Sequence, residues 1–588
     1  MKLKLPQFLV LTALVFSACN TVPDQKIQVD GVQTPVVLLN GTWKFNMDPP
    51  AEFWKMDLDF QSWTDIQVPG ECQMQGMAIK HDQPFVYKKE FLVPDDYNGK
   101  QVRLVFSGVY SYARVWVNGI FVREHHGGFT RWECDISAIV TPGEEAVLSL
   151  EVTDRADDIS FGSGYAKHQI GGILRDVELI ALPEQNFRQL YFETDLDEDY
   201  EDAVLKIFYD LEQDSPSSVR FELFDPNDRL VGSLEGESQS DQLSFPVENP
   251  ELWDAEHPNL YTIVTTLIQD GKELLKTAEK VGFREVQVEG NKLMVNGMPV
   301  KLRGACRHDI HPTLGRMTTA EYDLKDVLLA KECNMNFIRT SHYPPSETFL
   351  DYCDQYGIYV EDETAVCFVG SHRTEEYRAT GASQSDPEFT ERYLSQLEEM
   401  VQNHRNHPSI IIWSIGNENN FGSNFVESYK WMKEHDLTRP IIYSYPGQVP
   451  DSIPMYELIS MHYPSWQGNL NQYGIKTEGF NSATMPMLFD EWAHVACYNN
   501  FELRDDPNVR SFWGQSLDSM WTYLFEAEGG LGGAIWCMLD ETFMMPEDLD
   551  GFNEWWGILD ENVIPATFKG PVVGYGEWGI LDTWGRKK

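Results

Sequence analysis

The alternation of hydrophobic and polar positions changes character once along this chain, after residue 284. Between residues 36 and 182, short alternating runs are separated by turns: 85–91 (FVYKKEF), 102–106 (VRLVF), 113–117 (ARVWV), 146–152 (AVLSLEV) and 174–179 (LRDVEL). Alternation with period two sends one face of each run into a core, so this region predicts a β-sandwich of the jelly-roll kind. Asn118-Gly119 between two runs predicts a tight hairpin, because both residues tolerate positive φ. The glycines at 162, 164, 171 and 172 break the periodicity and predict a loop over the sandwich. Asp154, Asp157 and Asp158 lead into it, either as surface carboxylates or as groups reaching a neighbouring cleft to accept from sugar hydroxyls.

Residues 183–284 keep the strand pattern, with runs at 203–209, 218–223 and 260–268, and predict an immunoglobulin-like β-sandwich. After residue 284 strand-like runs alternate with helical stretches. Strands are expected at 300–306, 337–340, 358–361, 410–415, 440–444, 458–461, 486–489 and 533–537, with helices at 321–333, 346–356 and 389–404. Eight strands with crossovers long enough for helices predict a (β/α)₈ TIM barrel over 285–588. No final helix is legible in 546–588, so either the eighth helix is irregular or the chain is shortened there.

At 588 residues the chain is too long for one core. A net charge of -46 argues against nucleic acid and against an anionic membrane surface as partner. Lys2 and Lys4 precede an apolar run and then Phe16-Ser17-Ala18-Cys19, which reads as an export segment over 1–19. Cys19 resembles the lipidated cysteine of a bacterial lipobox, with ordinary cleavage nearby as the alternative. Residues 20–35 read as a tether. The expected location is the periplasm or outer membrane, with membrane contact only through the lipid anchor. The other eight cysteines show no disulfide framework and no CxxC metal spacing, so buried free thiols are expected.

The chemistry gathers where the barrel strands end. Their endings read Arg307-His308-Asp309, Arg339-Thr340-Ser341-His342-Tyr343, Glu361-Asp362-Glu363, Asn417-Glu418, His462-Tyr463 and Asp490-Glu491-Trp492-Ala493-His494. In a barrel these ends share one rim. Two carboxylates on one rim suit glycosidic bond cleavage. One protonates the leaving oxygen, and the other attacks the anomeric carbon or activates water. Glu418 and Glu491 are the best pair, since both directly follow strong strands.

From about residue 40 onward the chain resembles glycoside hydrolase family 2, which includes β-galactosidases, β-glucuronidases and β-mannosidases. The resemblance is carried by 115–119 (VWVNG), 171–177 (GGILRDV), 303–312 (RGACRHDIHP), 336–344 (NFIRTSHYP) and 407–418 (HPSIIIWSIGNE). It implies a double displacement with Glu418 as acid/base and Glu491 as nucleophile. It further implies that Asn417 meets the sugar 2-hydroxyl and that Tyr463 donates to the nucleophile. His308, His342 and His494 would contact sugar hydroxyls, and Trp536 would form the floor under the glycone. Arg339 and Glu363 would stand behind the reacting groups, with Arg339 holding Glu491 ionised. Asp157 or Asp158 resembles the sandwich aspartate that reaches the galactose site.

Departures from the family pattern narrow the expectation. Large β-galactosidases place a magnesium-linked Glu-x-His after strand three. Here Glu363-Thr364-Ala365 lacks the histidine, so no metal or other cofactor is expected. β-Glucuronidases carry an Asn-x-Lys element for the sugar carboxylate, and the matching stretch is Gly576-Glu577-Trp578, whose acid would repel that group. The resulting expectation is an exo-β-galactosidase acting on terminal sugars of oligosaccharides or polysaccharide-derived glycans. Another glycone (glucuronic acid, mannose or arabinopyranose) is the alternative. A homo-oligomer is possible. A non-catalytic carbohydrate-binding lipoprotein would fit if either carboxylate were missing, and both are present.

Overall fold

The computed structural model describes residues 26–164, 168–213, 215–237, 242–370, 383–444, 449, 457–463, 484–492, 507–549, 563–576 and 578–587. Cys19 and His494 lie outside these residues, as does Glu577.

The first sandwich packs a six-stranded sheet on a four-stranded one. Phe85–Leu92 runs near the middle of the larger sheet, between Glu145–Thr153 and Gly41–Asn46. Its inward Phe85, Tyr87 and Phe91 join one apolar core with Trp43, Leu104, Phe106 and Val115. Tyr112–Val117 turns into Ile120–His126 through Asn118 (φ 49°) and Gly119 (φ 78°), the left-handed pair that the sequence required. The last strand is Val177–Leu182 rather than 174–179, because Arg175 leaves the ladder to bridge domains. Its guanidinium donates to Phe129 O at 2.6 Å, Pro344 O at 2.6 Å and Asp309 Oδ2 at 3.1 Å.

The middle sandwich pairs a five-stranded with a three-stranded sheet. Its edge strand is Ile27–Val29, hydrogen-bonded to Lys272–Val281. The stretch read as a tether is therefore partly structural. Three residues are too short to announce a strand, and pairing with a distant edge is a tertiary event.

The barrel strands are β1 (Leu302–Arg307), β2 (Phe337–Thr340), β3 (Tyr359–Glu363), β4 (Ile410–Asn417), β5 (Ile441–Ser444), β6 (Ile459–His462), β7 (Met487–Trp492) and β8 (Gly530–Ile535). They form one parallel sheet in the order β5-β4-β3-β2-β1-β8-β7-β6. The two end strands meet where Glu457 N donates to Ile441 O at 2.9 Å, so the sheet is nearly closed. Outside it pack α1 (Ala320–Glu332), α2 (Glu347–Tyr356), α3 (Thr390–His404), α4 (Ser423–His435) and α5 (Pro507–Glu526). Every residue of β4 is buried, as expected where both sheet faces are covered. Each fully buried isoleucine there contributes about 1.5–3 kcal/mol, which fixes the strand end with little play. Arg284, arriving from the middle sandwich, donates to Pro408 O and Ile410 O and anchors the strand's beginning. Residues 578–587 return to α1, where Lys325 donates to Trp584 O and Lys587 pairs with Glu332. Among the described residues no helix follows β8, and none is long and apolar enough to cross a membrane.

Candidate active site

The parallel register sets the rim. Cys306 faces Arg339, Arg339 faces Glu361, and His462 faces Glu491 across neighbouring strands. Glu418 follows β4 with φ 46° and Tyr463 follows β6 with φ 47°, so both chains turn sharply as they leave the sheet. Glu418 N donates to Ser444 O, and Tyr463 N donates to Glu491 O at 2.9 Å, which pins both turns.

Glu418, Glu491 and His462 converge, with one carboxylate oxygen of each acid and a ring nitrogen all within 4.8 Å. Glu491 is buried. Its Oε1 accepts from Arg339 Nη1 at 3.0 Å and its Oε2 from the Tyr463 hydroxyl at 2.6 Å. Glu418 is the more open of the two, with its side chain 13% exposed, and its Oε1 lies 3.0 Å from His462 Nδ1. A carboxylate held on both oxygens beside a more open one is the asymmetry that a nucleophile and a proton donor need.

Arg339, fully buried, organises the floor of the site. Besides Glu491 it donates to both oxygens of Glu363 (2.9 and 2.7 Å), to Asn417 Oδ1 (2.8 Å) and to Asp490 O (3.2 Å). Burial works against its proton, but Glu363, Glu491 and Asp490 outweigh it and keep the guanidinium charged. Glu363 also accepts from Ser414 Oγ at 2.7 Å and lies 2.8 Å from His342 Nδ1. Burial raises its pKa, and Arg339 and His342 more than offset that, leaving the carboxyl below its usual range. Asn417 spends its carbonyl on Arg339 and Ser444 Oγ, which turns its amide toward Cys367 Sγ (3.3 Å) and His342 Nε2 (3.5 Å). A side-chain amide held by its oxygen presents N–H donors to whatever occupies the rim.

The aromatic wall is Trp536, with His342 stacked at 5.2 Å and 11° and His308 edge-on at 5.3 Å. His308 Nδ1 lies 3.3 Å from the Tyr343 hydroxyl and Nε2 lies 3.3 Å from Glu541 Oε1. Burial, with Arg316 and His342 adding to it, holds its pKa well below the usual value, so it is neutral. Phe129 of the first sandwich stacks on Tyr343 at 3.9 Å, so that domain buttresses this wall.

The structure thus brings together Glu418, Glu491, His308, His342, Asn417, Tyr463, Trp536, Arg339 and Glu363. Among the described residues, no hydrogen bond or ion pair joins Asp157 or Asp158 to them. Asp157 pairs with Arg155, and Asp158 is buried with Oδ1 accepting from Ser160 N and Oγ. Their loop does reach the barrel, since Gly162 lies so close to Cys367 O that a Cβ there would be 2.4 Å away. Of the first strand ending, only His308 faces the site; Arg307 turns to Asp309, Asp323 and Asp326. Sequence reasoning missed two residues. His462 was legible only as the neighbour of Tyr463. Glu541, just past β8, carried no signal because a strand-end glutamate is ordinary.

Among the described residues, Asp351, Asp354 and His407 form a second group with metal-compatible spacing. His407 Nδ1 is already bound to Asp354 Oδ2 at 2.6 Å and Asp351 to Lys26 at 2.8 Å, which makes this a structural network.

A parallel eight-stranded barrel carrying paired carboxylates, a buried arginine and an aromatic wall on one rim defines a glycoside hydrolase. The comparisons agree. Profiles described as glycosyl hydrolases family 2, sugar binding domain, as glycosyl hydrolases family 2, and as glycosyl hydrolases family 2, TIM barrel domain match residues 36–183, 185–284 and 286–508. The chain belongs to glycoside hydrolase family 2. It is 30% identical over 574 residues to a beta-galactosidase of Photobacterium profundum, covering 90% of this chain and 53% of that protein. A Vibrio vulnificus beta-galactosidase is likewise 30% identical, over 91% of this chain and 52% of its own length. The chain therefore spans about half the length of the curated relatives it matches. In fold it is similar to Ruminococcus gnavus beta-glucuronidase, with a TM-score of 0.75, 22% identity and 97% of each chain covered.

Proposed function

We propose that the protein is a retaining exo-β-glycosidase that removes terminal β-galactosyl residues. The observation that carries the mechanism is the approach of Glu418 and Glu491 oxygens to within 4.8 Å. That spacing is nearer the separation of about 5 Å of a nucleophile and an acid/base than the about 6.5–9.5 Å of an inverting pair, and it supports double displacement. Glu491 attacks the anomeric carbon while Glu418 protonates the aglycone oxygen; Glu418 then takes a proton from the water that releases the sugar. Asn417 donates to the 2-hydroxyl, and Trp536 packs under the apolar face of the ring.

Glu541 supports a neutral glycone. It is a buried carboxyl beside His308, and Arg316, the cation near this wall, already faces it. A uronic acid would bring another carboxylate beside a carboxyl whose pKa burial, Glu491 and Asp540 already push up to about 8, and so add to that repulsion. The similarity to beta-galactosidases points the same way. No magnesium is required on this reading, because the Glu-x-His pattern is absent and the charge on His462 opposes a cation between the two acids. Export with lipidation at Cys19 is a further proposal from the sequence, testable by labelled-palmitate incorporation and its loss in Cys19→Ala.

A panel of aryl β-glycosides tests the substrate: the galactoside should be cleaved fastest, with the β-anomer of galactose formed first and activity unchanged in EDTA. An α-anomer formed first would overturn double displacement, and faster cleavage of the glucuronide would overturn the galactosyl reading. Glu491→Gln should abolish turnover of the aryl galactoside; normal turnover would remove Glu491 as nucleophile.

A further inference from the structure

His462 has no part in the double displacement as usually drawn, yet it touches every acid that does. It closes β6, and its ring is fully buried. Nδ1 lies 3.0 Å from Glu418 Oε1 and 3.4 Å from Glu491 Oε2. Nε2 lies 3.2 Å from Ser444 Oγ and 3.5 Å from Asp490 Oδ1. Asp490 is itself fixed by Ser460 Oγ at 2.6 Å. The charged groups facing the ring are thus Glu418 after β4, Asp490 and Glu491 on β7 and, through the low-dielectric floor, Glu361 on β3. Burial opposes its proton, but Glu491 and Asp490 restore it and push the pKa up to about 10. The ring is an imidazolium, with donors on both nitrogens.

What Nδ1–H faces changes during the reaction. In the free enzyme it is divided between Glu418 and Glu491. In the first step the bond from the anomeric carbon to the aglycone oxygen breaks and a bond to a Glu491 oxygen forms. Glu418 gives its proton to the departing oxygen. Glu491 is then a neutral ester and a weak acceptor, while Glu418 is a carboxylate. In the second step water attacks the anomeric carbon, the ester bond breaks and the water's proton goes to Glu418. His462 keeps its own proton throughout. A fixed cation beside Glu418 does not help the first step, which needs Glu418 protonated. It helps the second, which needs Glu418 ionised and aimed.

We propose that His462 is a positioning residue for the second step, holding Glu418 as an oriented carboxylate base once Glu491 is esterified. The inference rests on the double displacement proposed above. Trapping the unsubstituted protein with a 2-deoxy-2-fluorogalactosyl fluoride tests that reading separately: Glu491 should be labelled, and no label there would refute the displacement itself.

Given labelling, His462→Gln and His462→Asn are compared with the unsubstituted protein on 2,4-dinitrophenyl β-galactoside, whose leaving group needs no proton. Both variants should lose about 10–100-fold in kcat with KM falling in parallel, so that kcat/KM holds within a few-fold. A burst of one equivalent of dinitrophenolate should appear, and azide, which needs no base, should restore kcat. Equal loss in kcat and kcat/KM with no burst would reduce His462 to a structural role. A readout independent of any variant is the histidine ¹⁵N spectrum of the trapped protein: both nitrogens of His462 should be protonated, and a neutral ring would overturn the proposal.

Discussion

The Tyr463 hydroxyl donates to Glu491 Oε2 at 2.6 Å while the amide of the same tyrosine donates to the Glu491 carbonyl at 2.9 Å. One residue thereby fixes both the backbone and the charge of the nucleophile. Tyr463→Phe removes the hydroxyl bond and keeps the amide bond. It should lower kcat for the aryl galactoside by about 10²–10³-fold, with the circular dichroism melting curve unchanged.

Arg339 pairs with both Glu491 and Glu363, and all three are buried. Arg339→Ala would leave those carboxylates uncompensated and should cost about 3–5 kcal/mol of stability, measured by urea unfolding. Arg339→Lys should not restore activity, because a single ammonium cannot span Glu363, Asn417 and Glu491 as the planar fork does.

Lys88 illustrates a cost elsewhere in the molecule. It points to the outer side of the six-stranded sheet, 1% exposed, with Nζ 4.7 Å from the Phe60 ring and no hydrogen-bond partner among the described residues. Burial lowers its pKa to about 8. Because the unfolded chain then binds more protons than the folded one between about pH 8 and the ordinary lysine value near 10.4, stability should rise with pH across that window. Lys88→Met should melt higher than the unsubstituted protein at pH 7, and the gap should narrow toward pH 10 in differential scanning calorimetry.

Glu541 has the opposite sign. Burial, reinforced by Glu491 and Asp540, pushes its pKa up to about 8 against the pull of Arg316. The folded protein therefore binds more protons than the unfolded chain between about pH 4.3 and 8, and this group's contribution to stability falls as pH rises through that range. Glu541→Gln should raise the melting temperature at pH 8.5 more than at pH 4.5. Loss of aryl-galactoside turnover above pH 8 should be shallower in this variant, since an amide cannot acquire the charge that would approach Glu491.

Most of the site was legible because it sits on the strands with the plainest hydrophobic signal. The run 410–415 and its polar ending identified Glu418 and Asn417, and the apolar run before Asp490-Glu491 identified its partner. Two readings turn on distant contacts. Asp157 and Asp158 were linked to the cleft by their resemblance to a sandwich aspartate; their loop meets the barrel at Gly162, where Arg155 holds Asp157 and Ser160 holds one oxygen of Asp158. Residues 27–29 read as a tether because a three-residue strand has no periodicity of its own. Both depend on which distant partner a short segment finds.

The sequence by itself determined the order of sandwich, sandwich and barrel, the turn at Asn118-Gly119 and the acids at the strand ends, since each rests on local periodicity or backbone preference. The tertiary structure decided what surrounds those acids. Arg339 beneath Glu491, His462 between Glu491 and Glu418, and Glu541 against His308 come from different strands and connections of one parallel sheet. Only its register and closure bring them within hydrogen-bonding or ion-pair reach.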